Sequence, residues 1–121
     1  MSTPEIVEEI PTEDWEQAQV VKELRAAGVL FFAVPNGGSR NKVEAVRLQK
    51  QGVTSGVPDL VFPQADPRWR CLGVEMKRSK GGKVSDAQLS MHAKLRACGW
   101  RVEVCAGAQE ALELLRAVGY L

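Results

Sequence analysis

Two carboxylates and a lysine stand where a fold ordinarily places apolar side chains. Gly56-Val57-Pro58-Asp59-Leu60 leads out of a turn into a short apolar run that ends at Phe62. Sixteen residues after Asp59, the apolar run 71–76 closes in Glu75-Met76-Lys77. Residues two apart on a strand point to the same face, so Glu75 and Lys77 share one. If the two runs pair as a hairpin, Asp59 joins them and three ionisable groups converge on an apolar strand pair. Charges are rarely buried unpaired, so such a convergence requires a reason. Each half has a plainer reading alone. Asp is common after a turn proline, and Glu75 with Lys77 could be the solvated face of an edge strand. Together, the two halves favour a catalytic centre.

Around this pair the chain alternates helix and strand signals. Residues 1–11 are acidic, close on Pro11, and read as a flexible acidic tail. From Thr12 a helix can begin, with Glu13 and Asp14 in the first turn, where the helix dipole favours acids. Trp15, Ala18, Val21 (or Val20) and Leu24 give it an apolar stripe, and Gly28 supplies its stop. Residues 29–34 form an apolar run of strand length. Residues 35–39 are a loop by composition, and 41–51 a mostly polar helix. Strands are expected at 59–62 and 71–76, joined by a turn at 63–68. Ser85-x-x-Gln88 has capping-box spacing and opens a helix that runs to Cys98, with Gly99 as its stop. Residues 100–105 alternate as a strand, and 108–118 form a last amphipathic helix. The order α-β-α-β-β-α-β-α joins a hairpin step to βαβ crossovers. It predicts an α/β fold with a mixed central sheet flanked by helices. At 121 residues and 45% hydrophobic content, 12–121 should be a single domain with one core.

Several functional classes fall away on composition. No apolar run approaches the roughly 20 residues that span a bilayer, and the acidic start lacks the features of a secretory signal, so a cytoplasmic protein without a membrane partner is expected. Cys71, Cys98 and Cys105 are odd in number and contain no C-x-x-C pair. They make neither a disulfide framework nor a zinc signature, and their apolar neighbours suggest buried thiols. Gly81-Gly82-Lys83 resembles a phosphate loop only at a glance. No glycine lies five residues before Gly82, and Val84 replaces the Ser/Thr, so no nucleotide cofactor is expected.

A net charge of +1 conceals a lopsided distribution. Residues 1–16 hold six acids and no base, which leaves the remainder at +7. Between Arg40 and Lys83 there are ten bases against four acids. A basic middle suits a polyanionic partner. Arg40, Lys42, Arg47 and Lys50, with Arg78, Lys80 and Lys83 in the loop after Lys77, are the candidates for DNA phosphate contacts that position without reading bases.

The chemistry these residues could perform is metal-assisted phosphodiester hydrolysis. Asp59 and Glu75 offer hard oxygen ligands to Mg²⁺ or Mn²⁺, which orients a water and neutralises charge growing on the phosphate. Lys77 would hold that water or stabilise the charged transition state. Pro58-Asp59 followed by Glu75-x-Lys77 resembles the signature of PD-(D/E)xK nucleases. The wider string is similar to the VRR-NUC branch of that superfamily, in its stand-alone bacteriophage and bacterial form. The matching pieces are Glu16-Gln17, Pro35-Asn36-Gly37-Gly38 with Arg40, Gly52-Val53 leading to Gly56-Val57-Pro58-Asp59-Leu60, Gly73-Val74-Glu75-Met76-Lys77-Arg78, Gly82 with Ser85 and Gln88, and Gly99-Trp100-Arg101-Val102. The resemblance implies a restriction-endonuclease-like fold, a metal held by Glu16, Asp59, Glu75 and the Met76 carbonyl, and a catalytic Lys77. It also implies a homodimer and endonuclease cleavage of DNA, including branched DNA such as Holliday junctions. Arg78-Ser79-Lys80 departs from the Arg-Pro often found after the lysine in that family, which bears on the loop path and not on the ligands.

Within this frame Glu16 is preferred to Glu13, on the adjoining Gln17 and the spacing to Gly28. Gln88 matches a glutamine near the family's active site and equally completes a capping box with Ser85. His92, the only histidine, reads as a surface or packing residue. Trp15 and Trp100 read as core, and Trp69, between Arg68 and Arg70, as a packing residue that could also stack on a base. A DNA-binding module on a nuclease fold without catalysis is the competing function, and a nuclease acting on RNA a third.

Overall fold

The computed structural model describes residues 9–35, 41–63 and 68–121. Its elements are α1 (Glu13–Ala26), β1 (Phe32–Ala33), α2 (Lys42–Lys50), β2 (Leu60–Phe62), β3 (Leu72–Lys77), α3 (Asp86–Ala97), β4 (Arg101–Ala106) and α4 (Ala108–Ala117). This is the order expected from the sequence, with bounds that move by a residue or two except at β1. The helix starts are chemically specified. The Thr12 side chain accepts from the Trp15 amide, the Asn41 side chain from Glu44, and Ser85 and Gln88 form a reciprocal capping box. Each satisfies amides that a helix start would otherwise leave orphaned.

The sheet order is β1-β2-β3-β4. The first two pairings are antiparallel, and β3 runs parallel to β4. A parallel neighbour demands a crossover, which α3 provides. All six residues of β3 are buried. Leu72, Val74 and Met76 join Leu60 and Phe62, Val20 and Leu24 of α1, and Ala111 and Leu115 of α4 in one apolar core. Full burial of side chains this size contributes about 1.5–3 kcal/mol each. Alternation sends Gly73, Glu75 and Lys77 to the opposite face, toward α3. The β2–β3 register pairs Leu60 with Val74. One step outward, therefore, Asp59 lies opposite Glu75 on that same face.

Three expectations are corrected. The run 29–34 yields only the two-residue edge strand β1, with Phe32 and Leu30 largely exposed. It pairs on one side only, against a three-residue β2, and its hydrophobicity is spent where Phe31 packs on Phe62 at 6.1 Å between ring centroids. Trp15 is 52% exposed, because the buried stripe of α1 is Glu16, Val20 and Leu24. Cys98 is exposed, whereas Cys71 and Cys105 are buried. Burial raises the Cys71 thiol pKa and pushes that of Cys105 up to about 12. Among the described residues, no helix is long and apolar enough to cross a membrane.

The turn into β2 depends on Gly56. Its φ of +87° suits glycine, and a β-carbon there would lie 2.3 Å from the Ala87 carbonyl oxygen in the first turn of α3. Backbone cannot yield as a side-chain tip can. Gly56→Ala should therefore destabilise the fold by about 3 kcal/mol or more. Urea unfolding checks this, and an unchanged midpoint would contradict the close approach.

Candidate active site

Asp59 enters the site from the turn held by buried Pro58. Its backbone carbonyl accepts the Val34 amide at 2.9 Å, tying it to the end of β1. Its carboxylate Oδ2 accepts the Met76 amide at 2.7 Å. Glu75 is 1% exposed and shares a side-chain hydrogen bond with Asp59. Burial, then the hydrogen bond to Asp59 and the charge of Asp59, push the Glu75 carboxyl up to about 9, while Lys77 opposes them. A raised carboxyl beside a second, half-buried carboxylate is the electrostatic mark of two acids crowded at one point. Such a pair fits a hard divalent cation, which favours oxygen ligands and displaces the proton when it binds.

Lys77 is also buried, and its Nζ donates to Gln88 Oε1 at 2.9 Å. The same oxygen accepts the Ser85 amide at 2.9 Å, and the Gln88 amide donates to Ser85 Oγ at 3.2 Å. One side chain therefore fills both roles open to Gln88: it caps α3 and holds the lysine.

His92 is the residue that sequence reasoning passed over. It is 1% exposed, and its Nε2 lies 3.3 Å from Glu75 Oε1. Burial first, then the charges of Arg96 and Lys77, push its pKa down, with Asp59 opposing. The ring is therefore neutral near pH 7 and orients Glu75 through a hydrogen bond. The available signal was its spacing, four residues after Gln88, which puts both on one face of α3.

Glu16 has a hydrogen-bond partner of its own on α4. It is buried, and Oε2 accepts the Ala108 amide at 2.8 Å. α4 is capped by Gly107, whose φ is +91° and which offers no side-chain cap. Glu16 supplies the missing acceptor at the positive end of that helix. One turn earlier on α1, Glu13 is the helix acid whose charge bears on Glu75. Among the described residues, no group of three or more His, Cys, Asp or Glu could hold a metal ion, so the nucleus of the site is the Asp59–Glu75 pair.

The candidate DNA contacts fall into two groups. Lys42, Arg47 and Lys50 line a 540 Å³ recess along α2 together with Val43 and Val46. Arg78, Lys80 and Lys83 are exposed in the loop after β3. Arg40 lies outside the described residues.

The chain is an α/β domain with an open mixed four-stranded sheet and four helices, in which an Asp just before one strand faces a Glu-x-Lys on the next. A family model for the VRR-NUC domain matches residues 8–109, and the chain belongs to that family. A solved structure described as a VRR-NUC domain protein is similar to it with a TM-score of 0.75 at 20% sequence identity, over 91% of this chain and 89% of that one. At that identity the likeness concerns the fold. No curated protein matched the sequence.

Proposed function

We propose that this chain is a Mg²⁺- or Mn²⁺-dependent endonuclease that hydrolyses DNA phosphodiester bonds. The observation that carries the reading is the meeting of the half-buried Asp59 carboxylate with the buried Glu75 carboxyl beside the buried Lys77. Asp59, Glu75 and Glu16 would hold the ion with the Met76 carbonyl; Glu16 gives one oxygen to the Ala108 amide, and Glu13, whose charge bears on Glu75, is the other acid on that side of α1. When bound, the divalent ion supplies neutralisation of the phosphate and a more acidic water. Lys77, held in a fixed direction by Gln88, offers an ammonium to the attacking water or to the developing negative charge. His92 keeps Glu75 oriented.

The basic residues of α2 and of the loop after β3 support DNA as substrate. A homodimer fits the exposed state of α2, which has no buried residue and packs against no other described helix or strand. A two-fold assembly would also suit the paired strands of a branched junction. The test is a panel of labelled four-way junction, nicked, duplex and single-stranded DNA with an RNA counterpart, each incubated with Mg²⁺ and with Mn²⁺. Cleavage of DNA, strongest on branched substrates, is expected. Binding without cleavage in any divalent metal would favour the non-catalytic DNA-binding module, and cleavage confined to RNA would overturn the substrate. Sedimentation at the assay concentration tests the dimer.

A further inference from the structure

We propose that the junction between β4 and α4, Gly107-Ala108, positions Glu16 for metal binding: the Ala108 amide fixes one carboxylate oxygen and leaves the other for the ion. The proposal rests on the metal-dependent reading above and adds what holds its ligand from α1.

Glu16 is only 6% exposed, and an acid so buried needs partners. Its Oε2 accepts the Ala108 amide at 2.8 Å. Among the described residues, Oε1 makes no hydrogen bond and no base pairs with the carboxylate. Half of its acceptor capacity therefore stands ready for a hard cation, which favours such oxygens. The charge of Glu13, one turn earlier, bears on Glu75, so the first turns of α1 lie beside the carboxyl pair.

The junction is built around this carboxylate. Gly107 has a φ of +91°, and a β-carbon there would lie 2.5 Å from Glu16 Oε2 and 3.2 Å from Ser79 Cβ. A side chain at 107 would push the acid away and crowd the loop that follows Lys77. The Gly107 amide in turn donates to the Lys77 carbonyl at 2.9 Å. The parallel register sets Cys105 beside Met76 and Ala106 beside Lys77. Successive amides of one turn thus grip the end of β3, which carries the Met76 carbonyl and Lys77, and the acid of α1. Capping alone is met locally by Ser, Thr, Asn or Asp at the residue before the helix. Here that residue is glycine, and the acceptor comes from 92 positions away. An oxygen held by an amide at the positive end of a helix has a fixed direction, which is what outer hydrogen bonds give to metal ligands.

The experiment compares the full-length chain with Ala108→Pro, Gly107→Ala, Glu16→Gln and the double variant Glu16→Gln/Ala108→Pro. Proline suits the first residue of a helix, and the Gly107 ψ of 163° suits the residue before a proline. Ala108→Pro thus removes the donor and keeps the backbone path. Glutamine at 16 still offers an oxygen to the Ala108 amide but no charge to the ion. Mn²⁺ affinity is titrated without DNA, through the rise of melting temperature with metal concentration. Ala108→Pro and Gly107→Ala should each weaken Mn²⁺ binding about tenfold, with KM for DNA within about twofold. Ala108→Pro keeps the test decisive if Gly107→Ala fails to fold. Glu16→Gln should weaken Mn²⁺ binding by about tenfold or more, while its metal-free melting temperature stays within about 5 °C. Once Glu16 is glutamine, adding Ala108→Pro should weaken Mn²⁺ binding by less than about twofold more, because the carboxylate it positions is gone. A purely structural cap predicts equal losses in both backgrounds, or a lower melting temperature at unaltered Mn²⁺ affinity. Either result would overturn the proposal. An unaltered protein that binds no Mn²⁺ would refute the metal reading itself, and the role of the junction with it.

Discussion

Asp59→Asn and Glu75→Gln are each expected to lower DNA cleavage by about a thousandfold or more while DNA binding in metal-free buffer changes by less than about threefold. These near-isosteric changes isolate charge from shape. An asparagine oxygen can still accept the Met76 amide that Asp59 Oδ2 now takes at 2.7 Å, so the turn into β2 is preserved. Alanine at 59 would leave that buried amide without an acceptor and mix a folding defect of about 1–3 kcal/mol into the result. The fall should appear in kcat, because in the proposed reaction both carboxyls act at the reacting centre and neither is needed to dock a phosphate backbone. Single-turnover cleavage of whichever panel substrate is cut fastest provides the measurement. Retention of more than about a tenth of the activity by both variants would remove the pair from catalysis.

The second large effect is on stability and concerns the metal-free protein. Glu75 has its carboxyl pushed up to about 9 in the fold, from an ordinary value of 4.5. Between those values the folded state holds a proton that the unfolded state has lost, so stability must fall as pH rises through that window. His92 acts in the opposite sense lower down. Its depressed pKa means that the unfolded chain takes up a proton below 6.5 while the buried ring resists it, so acidification there destabilises. The clean window for Glu75 therefore lies above pH 6.5. From pH 7 to 9 the melting temperature without metal should fall by roughly 10 °C, at about one proton per molecule. Glu75→Gln should flatten this slope and be the more stable protein at pH 8. Added Mg²⁺ or Mn²⁺ should raise the melting temperature more at pH 8 than at pH 6, because the ion replaces the proton. A flat melting profile from pH 7 to 9 in the unaltered protein would show that Glu75 is not held protonated.

Much of the architecture was legible in the linear chain because it is written locally. Thr12, Asn41 and Ser85 mark helix starts through the side-chain oxygens they offer to nearby amides. The mixed sheet followed from a hairpin step joined to the β3-α3-β4 crossover, whereas the second crossover expected across α2 is absent because β1 and β2 pair antiparallel; the meeting of Asp59 with Glu75 followed from the period-two alternation of paired strands. The edge strand was overestimated, since hydrophobicity alone does not tell a residue that pairs from one that packs. Phe31 packs, and Phe32 pairs while remaining half in solvent.

Sequence by itself determined the order of the elements, their caps and the strand-borne trio Asp59, Glu75 and Lys77, because propensity, capping and alternation act between neighbours in the chain. Tertiary structure alone decided that Glu16 caps α4 and that the charge of Glu13 bears on Glu75, because both turn on the rotational phase of α1 against partners distant in the chain. It also decided that His92 touches Glu75. That contact depends on how α3 lies across β3 and β4, and that is set by packing of the whole core.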